Sequence, residues 1–231
     1  MGSFKINGVD PDNIMSKGQQ VDRIYSKGTL VWEKASPVNE IWDTQIVEVT
    51  NPITGRVWMD RNIGASRAAI SSTDSEAYGH LFQWGRNPDG HQIRTSSITS
   101  TLSSTDVPGH GDFILAPDTP YDWRSPQNAN LWQGIIADGW RLPTDAEWSA
   151  ERLSWATNSA AGAYGSVLKL PVAGVRNFND GLLLNVGALG SYWSSTVVSS
   201  DSRRLSFNIS FASTNSYFRA YGNSVRLIKD E

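Results

Sequence analysis

The chain has 231 residues, 39% of them hydrophobic and 19% charged, enough apolar material for one large domain with or without a small appendage. Its net charge of −3 comes with no basic run, which excludes the cationic face that sequence-independent nucleic-acid binding needs. The sequence contains no cysteine, so disulfides, thiolate metal sites and cysteine nucleophiles are excluded, and no run of about 18 apolar residues offers a membrane insertion.

The N-terminal stretch "MGSFKINGVDPDN" has no apolar core of the kind a secretory signal carries. Residues 1–36 read as a small β module. "SKGQQV" (16–21) and "SKGTLV" (26–31) are near-copies that place Gly at a turn and a strand after it. "VDRIYSKGTLVWEK" predicts a hairpin with Ser26, Lys27 and Gly28 at its tip. So short a unit buries little surface, which assigns it an attachment or oligomerisation role. Residues 34–40 are the expected linker, and 37–231 the main domain.

From Ile41 the texture changes. "IVEVTNPITGRVWMDRNIG" predicts a strand, an Asn-Pro turn and a second strand. "SSTDSEAYGHLFQWGR" (71–86) predicts a short helix capped near Ser72 or Thr73. Residues 87–130 are polar and weakly periodic, so they are either irregular but packed or functional loops. "WRLPTDAEWSAERLSWA" is the best helix, with Thr144 and Glu147 in capping-box spacing and Trp148 and Trp155 on one face. "VLKLPVAGVRNF", "GLLLNVGALGSYWSS", "RRLSFNISF" and "NSVRLIKD" then predict short strands. Helices between two sets of strands give an α+β domain whose ends pair in one sheet.

The chemistry-bearing residues are sparse. His80, His91 and His110 show no metal-ligand spacing. Asp106, Asp112, Asp118 and Asp122 offer oxygen ligands, which leaves calcium open, although no twelve-residue calcium-loop spacing is present. No other cofactor is expected. No nucleophile elbow or phosphate loop appears, so the chain is not expected to be an enzyme. The ten tryptophans serve core and corner packing, and any exposed one offers a platform for a sugar.

The C-terminal segment alternates. Leu205, Phe207, Ile209 and Phe211 form an apolar set, and Arg204, Ser206, Asn208, Ser210 and Ala212 lie between them. This predicts a half-buried strand over 204–212 with a free second face. Residues 194–224 also contain no Lys, Glu, Gln, Met or Trp, which make up 31 of the first 193 residues. About five would be expected in that window. Codons ending in C encode none of these five types, so randomising the first two bases of an Asn codon would exclude them. A Ser- and Asn-rich sheet edge lacking long side chains is the other reading.

"RVWMDRNIGASRAA", "DSEAYGHLFQWGRNPDGHQIR", "GWRLPTDAEW", "LKLPVAG", "GSYWSST" and "GNSVRLIKD" stand in an order and spacing similar to the bacterial "major paralogous domain" (FISUMP-type) family. That family is related to the formylglycine-generating-enzyme branch of the C-type-lectin fold. The resemblance covers about residues 41–230. It implies a C-type-lectin-like fold: a twisted antiparallel sheet, two helices and long irregular loops. Enzymes of that branch depend on active-site cysteines, which this chain lacks, so oxidase activity does not carry over. Of the calcium-binding motifs of sugar-binding lectins, only "FND" (178–180) comes near.

The resemblance extends to variable proteins of diversity-generating retroelements, whose C-terminal segment is rewritten by adenine-directed mutation. It implies a variable segment over about 192–221. The ligand-binding face implied there comprises Tyr192, Val197, Val198, Ser200, Asp201, Arg203, Arg204, Ser206, Asn208, Ser210, Ala212, Thr214, Asn215, Ser216, Tyr217, Arg219 and Tyr221. Known members are phage receptor-binding tips and bacterial surface proteins. The implied partner is a protein or glycan receptor on a bacterial surface. The implied location is a phage tail virion or a bacterial cell surface. A homotrimer is implied by analogy with such tips, and contacts with other virion proteins fall to the N-terminal module. A fixed carbohydrate-binding module using the same face is the alternative.

Overall fold

The computed structural model describes residues 40–230, preceded by four strands within residues 15–33. The chain divides into two compact units, Met1–Asn39 and Glu40–Glu231. In the first, Met15–Ser16 pairs antiparallel with Gln19–Gln20, and Arg23–Ser26 with Thr29–Glu33, with Ser26 opposite Thr29. This is the hairpin read from the sequence. Its tip residues Lys27 and Gly28, the turn at 17–18 and the linker at 34–39 lie outside the described residues.

The second unit is mixed and mostly sheet, with two helices, as an α+β domain requires. Its principal elements up to the first helix are β1 (Glu48–Thr50), β2 (Val57–Met59), β3 (Phe82–Gln83), β4 (Ile135–Ala137), β5 (Trp140–Arg141) and α1 (Asp145–Leu153). After it come α2 (Ala160–Gly165), β6 (Val175–Arg176), β7 (Leu183–Leu184), β8 (Gly190–Val198), β9 (Asp201–Phe207), β10 (Ala212–Tyr217), β11 (Gly222–Asn223) and β12 (Ile228–Lys229). Three antiparallel sheets result, with strand orders β4-β5-β12-β2-β1, β7-β6-β11-β3 and β8-β9-β10. The ends of the unit meet as expected, with Ile228 of β12 opposite Trp58 of β2. No helix among the described residues is long and apolar enough to cross a membrane.

Local chemistry accounts for most boundaries. Asn51 makes the turn between β1 and β2: its Oδ1 accepts from Ile53 N at 2.8 Å, and its Nδ2 donates to Glu151 Oε2 of α1 at 2.6 Å. At the start of α1, Thr144 Oγ1 accepts from Glu147 N at 3.2 Å while the Glu147 carboxylate accepts from Thr144 N at 2.8 Å. This reciprocal box satisfies two orphan donors. Trp148 and Trp155 both face the core, with Trp148 4.8 Å from Trp58 and Trp155 5.7 Å from Phe207.

The helix expected over 71–86 is a single 3₁₀ turn, Ser75–Ala77, and its cap is Asp74 rather than Ser72 or Thr73. Asp74 Oδ1 accepts from Glu76 N, while Oδ2 accepts from Ile70 N and Arg67 pairs with the carboxylate at 2.9 Å. A carboxylate engaged on both sides of the turn outcompetes a hydroxyl. Gly79 then ends any helical path at φ 64, where a Cβ would stand 2.3 Å from Ile63 O.

The polar region 87–130 is irregular but packed, held mainly by buried polar side chains, with one short parallel ladder between Ile98–Thr99 and Phe113–Ile114. The Gln83 amide donates to Ile114 O and Ala220 O and accepts from Ile114 N. Arg86 donates to Asp112 O at 2.9 Å and His110 O at 2.8 Å. Tryptophans fasten the sheets. The indole N–H groups of Trp193, Trp148 and Trp84 donate to Phe82 O, Trp193 O and Ser194 O. Trp58, Trp84, Trp123, Trp132, Trp140, Trp148, Trp155 and Trp193 are buried, so none of these eight is a sugar platform. Trp42 is half-buried, and the side chain of Trp32 lies outside the described residues.

The alternation over 204–212 misreads the strand. β9 ends at Phe207, and Asn208–Phe211 turns, with Asn208 Oδ1 accepting from Ser210 N and Phe211 N. Leu205 and Phe207 are buried against α1, but Ile209 is 88% exposed and Phe211 40%. The other face is buried too, with Arg204 lying under the Tyr217 ring. Ser202 and Ser206 are buried and Arg204 is 8% exposed, while Ala212, opposite Phe207 on β10, is buried on the α1 side.

Candidate functional site

The seventeen side chains expected on one variable face fall into three groups. Tyr192, Ser206, Ala212 and Arg219 are buried, and Tyr192 and Ala212 face the core under α1 with Leu205 and Phe207. Tyr192 Oη donates to Pro171 O at 2.7 Å and accepts from Asn62 Nδ2, which makes it core. Asn208 and Ser210 sit at the turn next to the Phe207–Ala212 pair. Five register steps separate that pair from Ser202–Tyr217, so the two ends lie roughly 17 Å apart.

The remaining residues gather at the other end of the three-stranded sheet. Val197 faces Ser202 and Val198 faces Asp201 across the β8–β9 hairpin, whose turn carries Ser199 at φ 55. Val198 and Ser216 are exposed, and Val197, Ser200, Asp201, Thr214, Asn215, Tyr217 and Tyr221 are half-buried. Arg203 is tied down: its Nε donates to Asp145 Oδ1 at 3.1 Å at the start of α1, and its Nη2 donates to Thr214 O. This ion pair joins the helix to the sheet and takes Arg203 out of the free surface.

Around Tyr217 and Tyr221 the structure assembles an aromatic patch that the sequence reading only half anticipated. Tyr217 stacks on Tyr221 at 4.0 Å and 22°, and Tyr221 lies 4.7 Å from Phe178. Phe178 meets Tyr121 at 5.4 Å and Phe218 at 5.5 Å, and Tyr121 lies 4.3 Å from Phe218. All five rings are half-buried. They come from three distant segments: the long polar region, the loop after β6, and the link from β10 to β11. Tyr121 and Phe178 were missed because proximity in space leaves no local signal, and Phe218 because the expected face took the alternate positions Tyr217, Arg219 and Tyr221. The only hint is an aromatic residue standing in polar loop sequence, as in "TPYDW" and "RNFND".

Two arginines lie under this patch. The Arg204 guanidinium carbon sits 3.2 Å from the Tyr217 ring centroid. Its Nε donates to Asn215 Oδ1 at 3.0 Å and its Nη1 to Ser191 Oγ at 2.9 Å. Burial lowers its pKa, against the opposing influence of Tyr217. Arg219 stacks 4.7 Å over Trp84 and reaches Ser199 O and Asp201 O of the hairpin and Asn128 O of the long loop. Its carboxylate partner is Asp122 at 3.6 Å, which burial pushes up while Gln127, Arg124 and Arg219 hold it down. Burial, then Tyr217, raises the Tyr221 phenol above its usual range, so both the ring and the hydroxyl are presented uncharged at neutral pH.

Among the described residues, no three or more His, Asp or Glu side chains gather as a metal site would require. Asp106 pairs with Arg124 at 2.6 Å, and Asp122 lies 3.6 Å from Arg219. The patch offers ring edges, phenol hydroxyls and guanidinium N–H groups, which is the equipment of recognition. No family model matches the chain, and no curated protein or solved structure matches it.

Proposed function

We propose that this chain is a non-enzymatic binding protein with a C-type-lectin-like main domain. In this reading the end of the β8–β9–β10 sheet recognises a receptor on a bacterial surface. The observation that carries it is the five-ring patch of Tyr121, Phe178, Tyr217, Phe218 and Tyr221, left half open rather than sunk in the core. A contiguous exposed aromatic surface marks interaction sites, and Tyr and Arg dominate binding energy where they occur. The antiparallel sheets, two helices and paired ends support the fold. The residue types missing from 194–224 support a diversified segment of the retroelement type, carried on a phage tip or cell-surface protein. Here the hairpin residues Val197–Asp201 and the β10 end supply the changeable rim, and Arg219 stacked on Trp84 supplies the fixed floor.

The test is binding of the full chain to a panel of intact bacterial strains, read by flow cytometry. A strain that binds the wild type should bind the Tyr217→Ala/Tyr221→Ala double variant about thirtyfold more weakly or worse. The variant should keep its cooperative thermal unfolding. Equal binding by a folded double variant would sink the proposal.

A further inference from the structure

Five arginines are buried in the main domain, and they divide into two kinds. Arg86, Arg176 and Arg226 are saturated. Arg226 donates to Asn62 Oδ1, Met59 O and Leu168 O at 2.9–3.1 Å. Arg176 reaches Gly181 O, Ile93 O, Ser96 O and Ser96 Oγ. Arg86 donates to Gln83, His110, Asp112 and the Asp89 carboxylate, all within 3.0 Å. These three are scaffold.

The two arginines under the aromatic patch differ. Arg204 donates to Asn215 and Ser191 and meets the Tyr217 side chain, and none of the ion pairs among the described residues involves it. Arg219 makes three long bonds at 3.4 Å and lies 3.6 Å from the Asp122 carboxylate, and its Nε makes no hydrogen bond. A guanidinium carries five N–H donors, so both have donors to spare.

Their neighbours have the same surplus. Ser202 lies on the same face of β9 as Arg204 and opposite Tyr217, and its Oγ is buried with no partner. Asn223 accepts from Ser191 Oγ at 2.7 Å, the same oxygen that accepts from Arg204, while its Nδ2 is buried and unpartnered. Unmade hydrogen bonds of this kind cost about 1–3 kcal/mol each and are rare in a folded interior. Among the described residues three such atoms, Arg219 Nε, Ser202 Oγ and Asn223 Nδ2, belong to this region, and each can donate to an added acceptor. A carboxylate supplies two oxygens with four lone pairs and fits a guanidinium fork.

The rings say which kind of molecule brings it. Arg204 lies 3.2 Å from the Tyr217 centroid and Tyr221 stacks at 4.0 Å, and two groups that close cannot share one face of a ring. Tyr217 is therefore sandwiched and has no open face for a sugar ring to lie on. Its edge remains, which suits a protein surface.

Resting on the binding-surface reading above, we propose that the partner is a protein with an acidic segment, one of whose Asp or Glu carboxylates docks on Arg204. Tyr217, the last residue of β10, turns aside to admit it. Ser202 and Asn223 then donate to the same anion, and Arg219 flanks it.

The experiment measures binding of the full chain to poly-L-glutamate and to hyaluronan, a carboxylated glycan, by calorimetry. The wild type should bind poly-L-glutamate, and Arg204→Gln should lose about tenfold or more. Arg67→Gln, which removes the same charge from the Asp74 pair, should bind as the wild type does. The Nε–H resonance of Arg204 in the wild type should shift on titration, which keeps the test valid if Arg204→Gln does not fold. Equal binding by folded Arg204→Gln, or an unmoved resonance, overturns the proposal. Arg204-dependent binding of hyaluronan without poly-L-glutamate overturns it in favour of an acidic glycan. If poly-L-glutamate does not bind but the double tyrosine variant still abolishes cell binding, the acidic-partner proposal falls and the binding surface stands. If that variant binds cells normally, the surface itself falls.

Discussion

Acid should loosen the long irregular segment through His91, whose side chain is fully buried. Nδ1 stands 2.8 Å from Asp89 Oδ1, and Nε2 accepts from Gln83 N at 3.2 Å. Only the neutral ring with its proton on Nδ1 satisfies both contacts, and a second proton would face the Gln83 N–H. Burial, with Arg86 and Arg176 adding to it and Asp89 opposing, lowers the pKa from 6.5 to about 4. On acidification the unfolded chain therefore takes up this proton before the folded one does. The stabilisation is complete above about 6.5 and drains away as pH falls towards 4. A shift of that size is worth roughly 3 kcal/mol, a large share of a domain's total of about 5–15 kcal/mol. Urea unfolding followed by tryptophan fluorescence, at pH 7.5 and 4.5, measures it. His91→Gln is the control, because the amide offers an acceptor near Gln83 N–H and does not titrate. Glu151 and Asp122, both pushed up by burial, act with the opposite sign but are common to both proteins. The wild type should lose roughly 2–3 kcal/mol more than the variant between the two pH values. Parallel losses would refute the buried-neutral-histidine argument.

Gly190→Ala should destabilise the sheet that carries the patch, since a Cβ there would stand 2.1 Å from the Phe207 ring. Overpacking of this kind costs about 1–3 kcal/mol, and adding Phe207→Leu should recover part of it in a double-mutant cycle, whereas strict additivity would deny the contact. Thr144→Ala removes the cap acceptor of α1 and should lower stability by about 1 kcal/mol in denaturant unfolding. Arg226→Met strands Asn62 Oδ1, Met59 O and Leu168 O in the core. It should cost about 3 kcal/mol or more, and a loss below about 1 kcal/mol would show these bonds to be dispensable.

What could be read from the sequence was what is decided locally. Thr144 and Glu147 announced α1, Asn51 and Pro52 announced the β1–β2 turn, and the order of elements announced an α+β domain with joined ends. The errors share a cause. Ile209 and Phe211 continue the period of Leu205 and Phe207, but the Asn208 amide closes a turn that ends the strand. "ASTNSY" carries no alternation, so β10 escaped notice, and its pairing with β9 supplies what its composition does not. The second face of β9 looked free because its polar residues suggested solvent. In the fold they are buried, and Arg204 donates there to Ser191 Oγ. The patch was legible only at Tyr217 and Tyr221, since Tyr121 and Phe178 arrive from distant loops.

The central claim is that the exposed end of the last three-stranded sheet is a diversified binding surface. Sequencing the 3′ end of the gene and its genomic neighbourhood tests it most directly. The account predicts a near-copy of the segment for residues 192–224 beside a reverse-transcriptase gene. Adenines in that copy should fall at the codons for Val198, Asp201, Ser216, Tyr217 and Tyr221, and not at those for the buried Tyr192, Leu205 and Phe207. The absence of such a copy, or adenines placed at the core codons instead, would contradict it.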